Sequence, residues 1–322
     1  MAMRTTQFGR WIRRCWIPAI SIVWLTHGTP AQAEYGRPWD LSLRLFSEYN
    51  DNVPLAADDT DFSGEQKSLG AGFSAAGVYR IIQEYPWEVG VGAGFVQTGY
   101  LESNVNDFNF TSIAPRVYGR YLFNLGAMPA RAEAAFTFRD DLLDFEQFEQ
   151  SYIPALSLTV FPIDPLAITA YTRLSIDQFD DDGADPAVTS RDATQYVVGL
   201  NGRYVFPGGM QNVGLTGEYR HNDADGDNFT YDSYIVSADF WTHIVGPFSA
   251  SVSGGYTNED YTDFTTDPKR TQDNLYGTVT VYMALSHELT LDAYYSYTHM
   301  DGSTDAFSLD RSIVGVGLTY RP

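Results

Sequence analysis

The 322-residue sequence holds one cysteine, Cys15, and only two lysines, Lys67 and Lys269. A single thiol excludes an internal disulfide framework. Basic residues are scarce altogether, 20 Lys and Arg against 41 Asp and Glu, for a net charge of −21. That balance excludes a nucleic-acid binder, which needs cations to displace phosphate counterions. No apolar run reaches the roughly 18–20 residues that a membrane-spanning helix requires. Charged residues of both signs make up only 19%, while 22 Tyr, 20 Phe and 28 Gly are present. A disordered chain is poor in aromatics, so that class is excluded as well. A mean hydropathy of −0.23 excludes a helical membrane protein. It does not exclude a membrane barrel, whose wall shows lipid only every second residue.

Residues 1–33 read as a targeting segment. Arg4, Arg10, Arg13 and Arg14 form a basic start without an acid, Cys15–Leu25 is apolar, and Ala31-Gln-Ala33 is a small-x-small cleavage site. A Sec-type signal peptide removed after Ala33 is expected, and Cys15 leaves with it. The remaining chain, 34–322, then has no thiol and carries 16 basic against 41 acidic residues.

From Trp39 onward, polar and apolar residues alternate with period two, the pattern of a strand with two different faces. In the first segment Leu41, Leu43 and Leu45 share one face, and Ser42, Arg44, Phe46 and Glu48 the other. Fourteen such segments occur, at 40–49, 69–81, 87–97, 110–123, 131–139, 151–161, 166–176, 194–206, 212–220, 232–244, 248–257, 274–285, 289–298 and 311–321. Their connections alternate. Links 50–68, 98–109, 140–150, 177–193, 221–231, 258–273 and 299–310 are long and rich in Asp, while those at 83–86, 162–165, 207–211 and 286–288 are tight turns. The expected fold is all-β: a transmembrane antiparallel up-and-down barrel of about 14 strands, with long acidic extracellular loops and short periplasmic turns.

The apolar faces separate this fold from a soluble β-sandwich. They read Trp87, Val89, Val91, Ala93, Phe95 on the third segment and Leu275, Gly277, Val279, Val281, Met283, Leu285 on the twelfth. No charged residue interrupts such a face in its central part. Aromatics gather at both ends: Tyr79, Trp87, Phe123, Phe206, Phe248 and Tyr320 near the turns, Tyr49, Phe138, Tyr219, Tyr234, Tyr256 and Tyr297 near the loops. Two girdles of amphipathic rings suit the two interfaces of a bilayer.

Ser47-Glu-Tyr-Asn-Asp-Asn-Val53 resembles the Tyr-x-Asp-Asn-Val start of a porin-like outer-membrane barrel family, and of the barrel part of surface lipoprotein assembly modifiers. Asp310–Pro322 is similar to the closing strand of these families, which usually ends in Phe where Pro322 stands here. The resemblance implies a Gram-negative outer-membrane barrel that meets outer-membrane lipid, lipopolysaccharide and the barrel-assembly machinery. The tetratricopeptide pattern that precedes the barrel in many assembly modifiers is absent from this sequence.

Ten of the basic residues fall on the inward face: Arg44, Arg80, Arg116, Arg120, Arg131, Arg139, Arg173, Arg203, Arg220 and Arg321. Seven inward acids accompany them: Glu48, Glu88, Glu133, Asp177, Glu218, Asp239 and Asp292. Two readings stay open. The charges pair across strands in a water-filled lumen, or the arginines form a ladder for anionic solutes, since a guanidinium holds a carboxylate bidentately. Inward rings at Phe46, Tyr118, Tyr171, Trp241, Tyr276, Tyr282 and Tyr294 either fill space or stack on sugars. Gly70, Gly72, Gly90, Gly92 and Gly94 leave a smooth inward slot on the second and third segments.

Asp58, Asp59, Asp61, Asp180, Asp181, Asp182, Asp223, Asp225 and Asp227 make the outer mouth acidic. Asp223, Asp225 and Asp227 have the spacing of a calcium loop, but Tyr234 stands where its bidentate Glu belongs. His221, His243, His287 and His299 form no evident catalytic set, so no enzyme and no cofactor are expected. The favoured function is a porin-like channel for small polar solutes, anionic or saccharide. The alternative is a non-enzymatic accessory in export or assembly of surface lipoproteins or polysaccharides. The solute and the oligomeric state are left open.

Overall fold

The computed structural model describes residues 37–53, 67–180, 186–265, 269–303 and 307–322. The expected signal segment, and the loop acids Asp58, Asp59, Asp61, Asp181 and Asp182, lie outside the described residues. Fourteen strands form one closed barrel in which each pairs antiparallel with its sequence neighbours and β1 pairs with β14. In chain order they are β1 (Trp39–Asn50), β2 (Ser68–Glu84), β3 (Trp87–Tyr100), β4 (Phe110–Leu125), β5 (Met128–Leu143), β6 (Glu146–Ile163) and β7 (Leu166–Phe179). Then come β8 (Ala193–Val205), β9 (Gln211–Ala224), β10 (Tyr231–Val245), β11 (Phe248–Tyr261), β12 (Thr271–Ala284), β13 (Leu289–Gly302) and β14 (Leu309–Tyr320). No described helix is long and apolar enough to cross a membrane.

Register converts the alternation into two surfaces. Arg44 of β1 sits opposite Ser74 of β2 and Thr319 of β14, so all three share the inner face, while Leu45, Phe73 and Leu318 share the outer one. The outer surface is an apolar belt without a polar cover. Leu45 and Leu156 are each 60% exposed and Val236 is 62%. Exposing that much aliphatic surface to water all round a barrel is unfavourable, and facing hydrocarbon removes the cost. Outward charges within the described strands occur only at strand ends, beyond the belt, such as Asp232, Asp260, Asp273 and Asp310 at loop ends and Glu84 at the turn end of β2.

The strands run 12–18 residues, longer than the stretches of alternation predicted, because they continue past the belt at the loop end. This corrects one connection. The link expected over 140–150 shrinks to Asp144 and Phe145, with φ of 46° and 64°. Two successive positive φ values are those of a type I′ hairpin turn, whose twist matches the strands. Asp tolerates that conformation; Phe145 is held in it by the pairing of Leu143 with Glu146. At the turn end glycine fills the same need, as at Gly126 (φ 65°) and Gly246 (φ 55°).

The Tyr49–Val53 stretch closes the seam. Arg311 Nε donates to Asn50 Oδ1 (3.2 Å), the Asn52 amide donates to Asp310 O (3.1 Å), and Asp51 Oδ1 accepts from the Ser312 backbone N–H (2.6 Å). Val53 then packs with Val105, Phe108 and Tyr100 into a small core above β3. Short polar side chains serve here because they reach the first residues of β14 across the β1–β14 seam.

Candidate transport channel

Every sequence-predicted pore-lining residue, Arg44, Arg80, Arg116, Arg120, Arg173, Arg203, Arg220, Tyr118, Tyr171 and Trp241, falls on the inner face by register. Six of these seven arginines face carboxylates. Arg44 Nη2 meets Asp292 at 2.6 Å, Arg120 meets Glu88 at 2.8 Å and Glu133 at 2.5 Å, and Arg203 meets Asp239 at 2.9 Å. Arg116 also pairs with Glu133, Arg80 with Asp40, and Arg139 with Glu149 and Asp141. Arg173 stands 3.9 Å from Glu218. A guanidinium fixed between two carboxylates stays on the wall, because leaving it would strand buried or half-buried charge.

The inner charge balance differs from the sequence count. Asp40, Asp141, Glu149 and Glu259 also face inward, as does Arg311. Eleven inward acids therefore face ten strand arginines, with Glu146 at the tip of the β5–β6 hairpin and Arg321 just beyond β14 in addition. The excess of three positive charges disappears. Asp141, Glu149 and Glu259 lie in segments read as loops, and carrying the alternation two turns of the pleat further would have recovered them.

A second arrangement sets a Tyr ring over a cross-strand glycine. It occurs at Tyr276 and Gly255, and three times such a ring also bonds a carboxylate. Tyr118 of β4 lies over Gly90 of β3, Tyr171 of β7 over Gly199 of β8, and Tyr294 of β13 over Gly315 of β14. Each hydroxyl donates to a lumenal carboxylate: Glu88 at 2.9 Å, Glu218 at 2.5 Å and Glu48 at 2.7 Å. An arginine layers above two of them, Arg120 at 4.5 Å from the Tyr118 ring and Arg44 at 5.3 Å from that of Tyr294. A side chain at the glycine would occupy the space of the ring; a Cβ on Gly90 would sit 2.6 Å from the Tyr118 hydroxyl. The glycine slot expected on β2 and β3 is thus partly filled, Gly72 by Phe46 and Gly90 by Tyr118. These rings lie against the backbone of the neighbouring strand. Gly90→Val is expected to lower stability by about 1–3 kcal/mol through overpacking and to reduce conductance as the ring swings inward. Adding Tyr118→Ala should restore folding, which a denaturant titration of both variants checks.

Histidine and loop acids go elsewhere. On the outer rim Tyr219 donates to Asp232 (2.6 Å) beside His221, and Tyr297 donates to Asp310 (2.6 Å) beside His299. These cross-strand groups were invisible to spacing along the chain. Asp223, Asp225 and Asp227 do not converge: among the described residues no group of three His, Cys, Asp or Glu could hold a metal. Asp227 instead opens a one-turn 3-10 helix, Asp227–Phe229.

No protein-family model matches the sequence, and no curated protein matches it either. Solved structures do. A loop-L8 deletion mutant of OmpT, an outer membrane protein of Vibrio cholerae, superposes with a TM-score of 0.50 at 10% identity, over 88% of this chain and 99% of that one. The fold is that of an outer-membrane barrel. A bacterial polysaccharide outer membrane secretin (TM-score 0.48, 10% identity, 88% and 98% covered) and OccAB3 of Acinetobacter baumannii (0.47, 9%, 88% and 99%) are similar at a lower level. Nothing among these returns the assembly-modifier resemblance.

Proposed function

We propose that the protein is a porin-like channel of the Gram-negative outer membrane that passes small polar solutes. The observation that carries this reading is a wide barrel in which most inward arginines and several inward tyrosines are fastened to the wall. At a strand spacing of about 4.8 Å and a tilt of about 40°, fourteen strands enclose a backbone diameter of roughly 28 Å. Barrels of about eight strands are filled by side chains, and larger ones leave a channel. Here three of the bulky inward groups, Tyr118, Tyr171 and Tyr294, lie over glycines and bond to glutamates along the wall. The near-balanced lumen supports weak ion selectivity in place of a pure anion ladder. Delivery to the outer membrane rests on the signal segment 1–33, the apolar belt and the aromatic girdles.

Liposome swelling tests it. Vesicles holding the purified barrel should swell in isotonic arabinose faster than empty vesicles, with rates falling as the permeant grows. Vesicles that stay tight to every solute would overturn the channel reading in favour of the export or assembly accessory.

A further inference from the structure

The two halves of the lumen wall differ in chemistry. Four consecutive strands, β10 to β13, contain no Lys or Arg at all. Their two inward acids nearest the turns are neutralised from outside the sector, Asp239 by Arg203 of β8 and Asp292 by Arg44 of β1. Hydroxyls dominate the rest, with Ser249, Ser251 and Ser253 on β11 and Thr278 and Thr280 on β12. On the charged side of the wall the rings of Tyr118 and Phe46 already carry arginines on their faces. Trp241 differs: it is half-buried, and among the described residues it makes no hydrogen bond, ring contact or cation contact. Its indole N–H is a donor without a partner. The side chains of His243 and Ser249, opposite one another on β10 and β11, are likewise unengaged among the described residues. Among the described residues Tyr282, opposite Ser249 on β12, bonds only Ser251, at 3.1 Å.

We infer that this sector, centred on Trp241 and Tyr282, is a binding track for uncharged saccharides. A pyranose presents axial C–H groups on one face, which suit the negative face of an aromatic ring, and hydroxyls around its edge, which need mixed donors and acceptors. Trp241 and Tyr282 supply two ring platforms two strands across and two residues along the sheet, roughly 11–12 Å apart, a span that a short chain of sugar rings can bridge. Ser249, Ser251 and His243 lie between and beside them and offer hydroxyl and imidazole partners. The two guanidiniums that reach the sector, Arg203 and Arg44, are held there by Asp239 and Asp292, so the carboxylate of a sugar acid would have to compete with those pairs, which favours a neutral sugar.

This assignment rests on the channel reading, and the experiment separates the two. Maltotriose added to a planar bilayer containing the barrel is expected to interrupt ion current, with triglucose blocking at lower concentration than a galacturonate trimer. Trp241→Ala should raise the half-blocking concentration roughly threefold to tenfold, the loss that one aromatic stacking contact represents. Trp241→Phe, which keeps a ring, should restore most of the block. A conducting barrel that maltotriose does not block, or that Trp241→Ala leaves equally blocked, overturns the track but not the channel. Tighter block by the galacturonate trimer overturns the neutral-sugar assignment. If no current flows at all, equilibrium dialysis of labelled maltotriose against the detergent-solubilised barrel decides: retention lost in Trp241→Ala supports the track, and no retention overturns it.

Discussion

Replacing Arg116, Arg120 and Arg203 together by Gln is expected to make the pore cation-selective. In the parent, Arg120 bridges Glu88 and Glu133, Arg116 shares Glu133, and Arg203 holds Asp239. The substitutions remove three positive charges from a lumen in which eleven acids face ten strand arginines. Glu88, Glu133 and Asp239 then stand uncompensated against the ion path. One unit charge acts on an ion 4 Å away with about 1 kcal/mol even in water-like surroundings, so the cation-to-anion permeability ratio should rise on the order of threefold to tenfold. The reciprocal change, Glu88→Gln with Glu133→Gln, should move the reversal potential in a KCl gradient the other way. Both shifts should shrink at high salt, where the Debye length falls to about 3 Å. Reversal potentials that ignore both sets of changes would show that these pairs lie off the conduction path.

The second large effect concerns the outer surface. Leu200 and Asn201 are neighbours on β8; Leu200 faces outward at 56% exposure, and Asn201 faces the lumen, where its amide donates to Thr216 (2.8 Å). Leu200→Arg places a charge in the apolar belt and should cost about 2–4 kcal/mol of folding stability in bilayers. Asn201→Arg adds the same charge one residue on, into a wet lumen beside Glu218's strand, and should cost well under half of that. Guanidinium titrations in lipid vesicles check the pair. Equal losses at the two positions would mean that the belt does not face lipid.

How far the sequence revealed this design depends on the kind of interaction. The faces of Leu41, Leu43 and Leu45 against Arg44 and Phe46 were legible because period-two alternation is a local property, and closure in register follows once every strand has two faces. The hairpin at Asp144 and Phe145 was not, because Asp and Glu near a strand end look like a loop until cross-strand partners such as Arg139 are known. The same loss hid Asp141, Glu149 and Glu259 and with them the true charge balance. Nor could alternation show that Tyr118 lies over Gly90 or that Arg44 meets Asp292, residues 248 positions apart. The motif Ser47–Val53 was recognisable as a pattern, yet its physical task, tying β1 to β14, appears only from the bonds of Asn50, Asp51 and Asn52.

The most direct test of an open outer-membrane channel is single-channel recording. The purified, refolded barrel is added to a planar bilayer in symmetric 1 M KCl (a concentration of about three ångströms' Debye length, at which surface charge is largely screened). Discrete, steady conductance steps at both polarities, absent from the heat-denatured protein and lowered in Gly90→Val, are the predicted result. A barrel that inserts, resists protease and stays electrically silent at every voltage would contradict it.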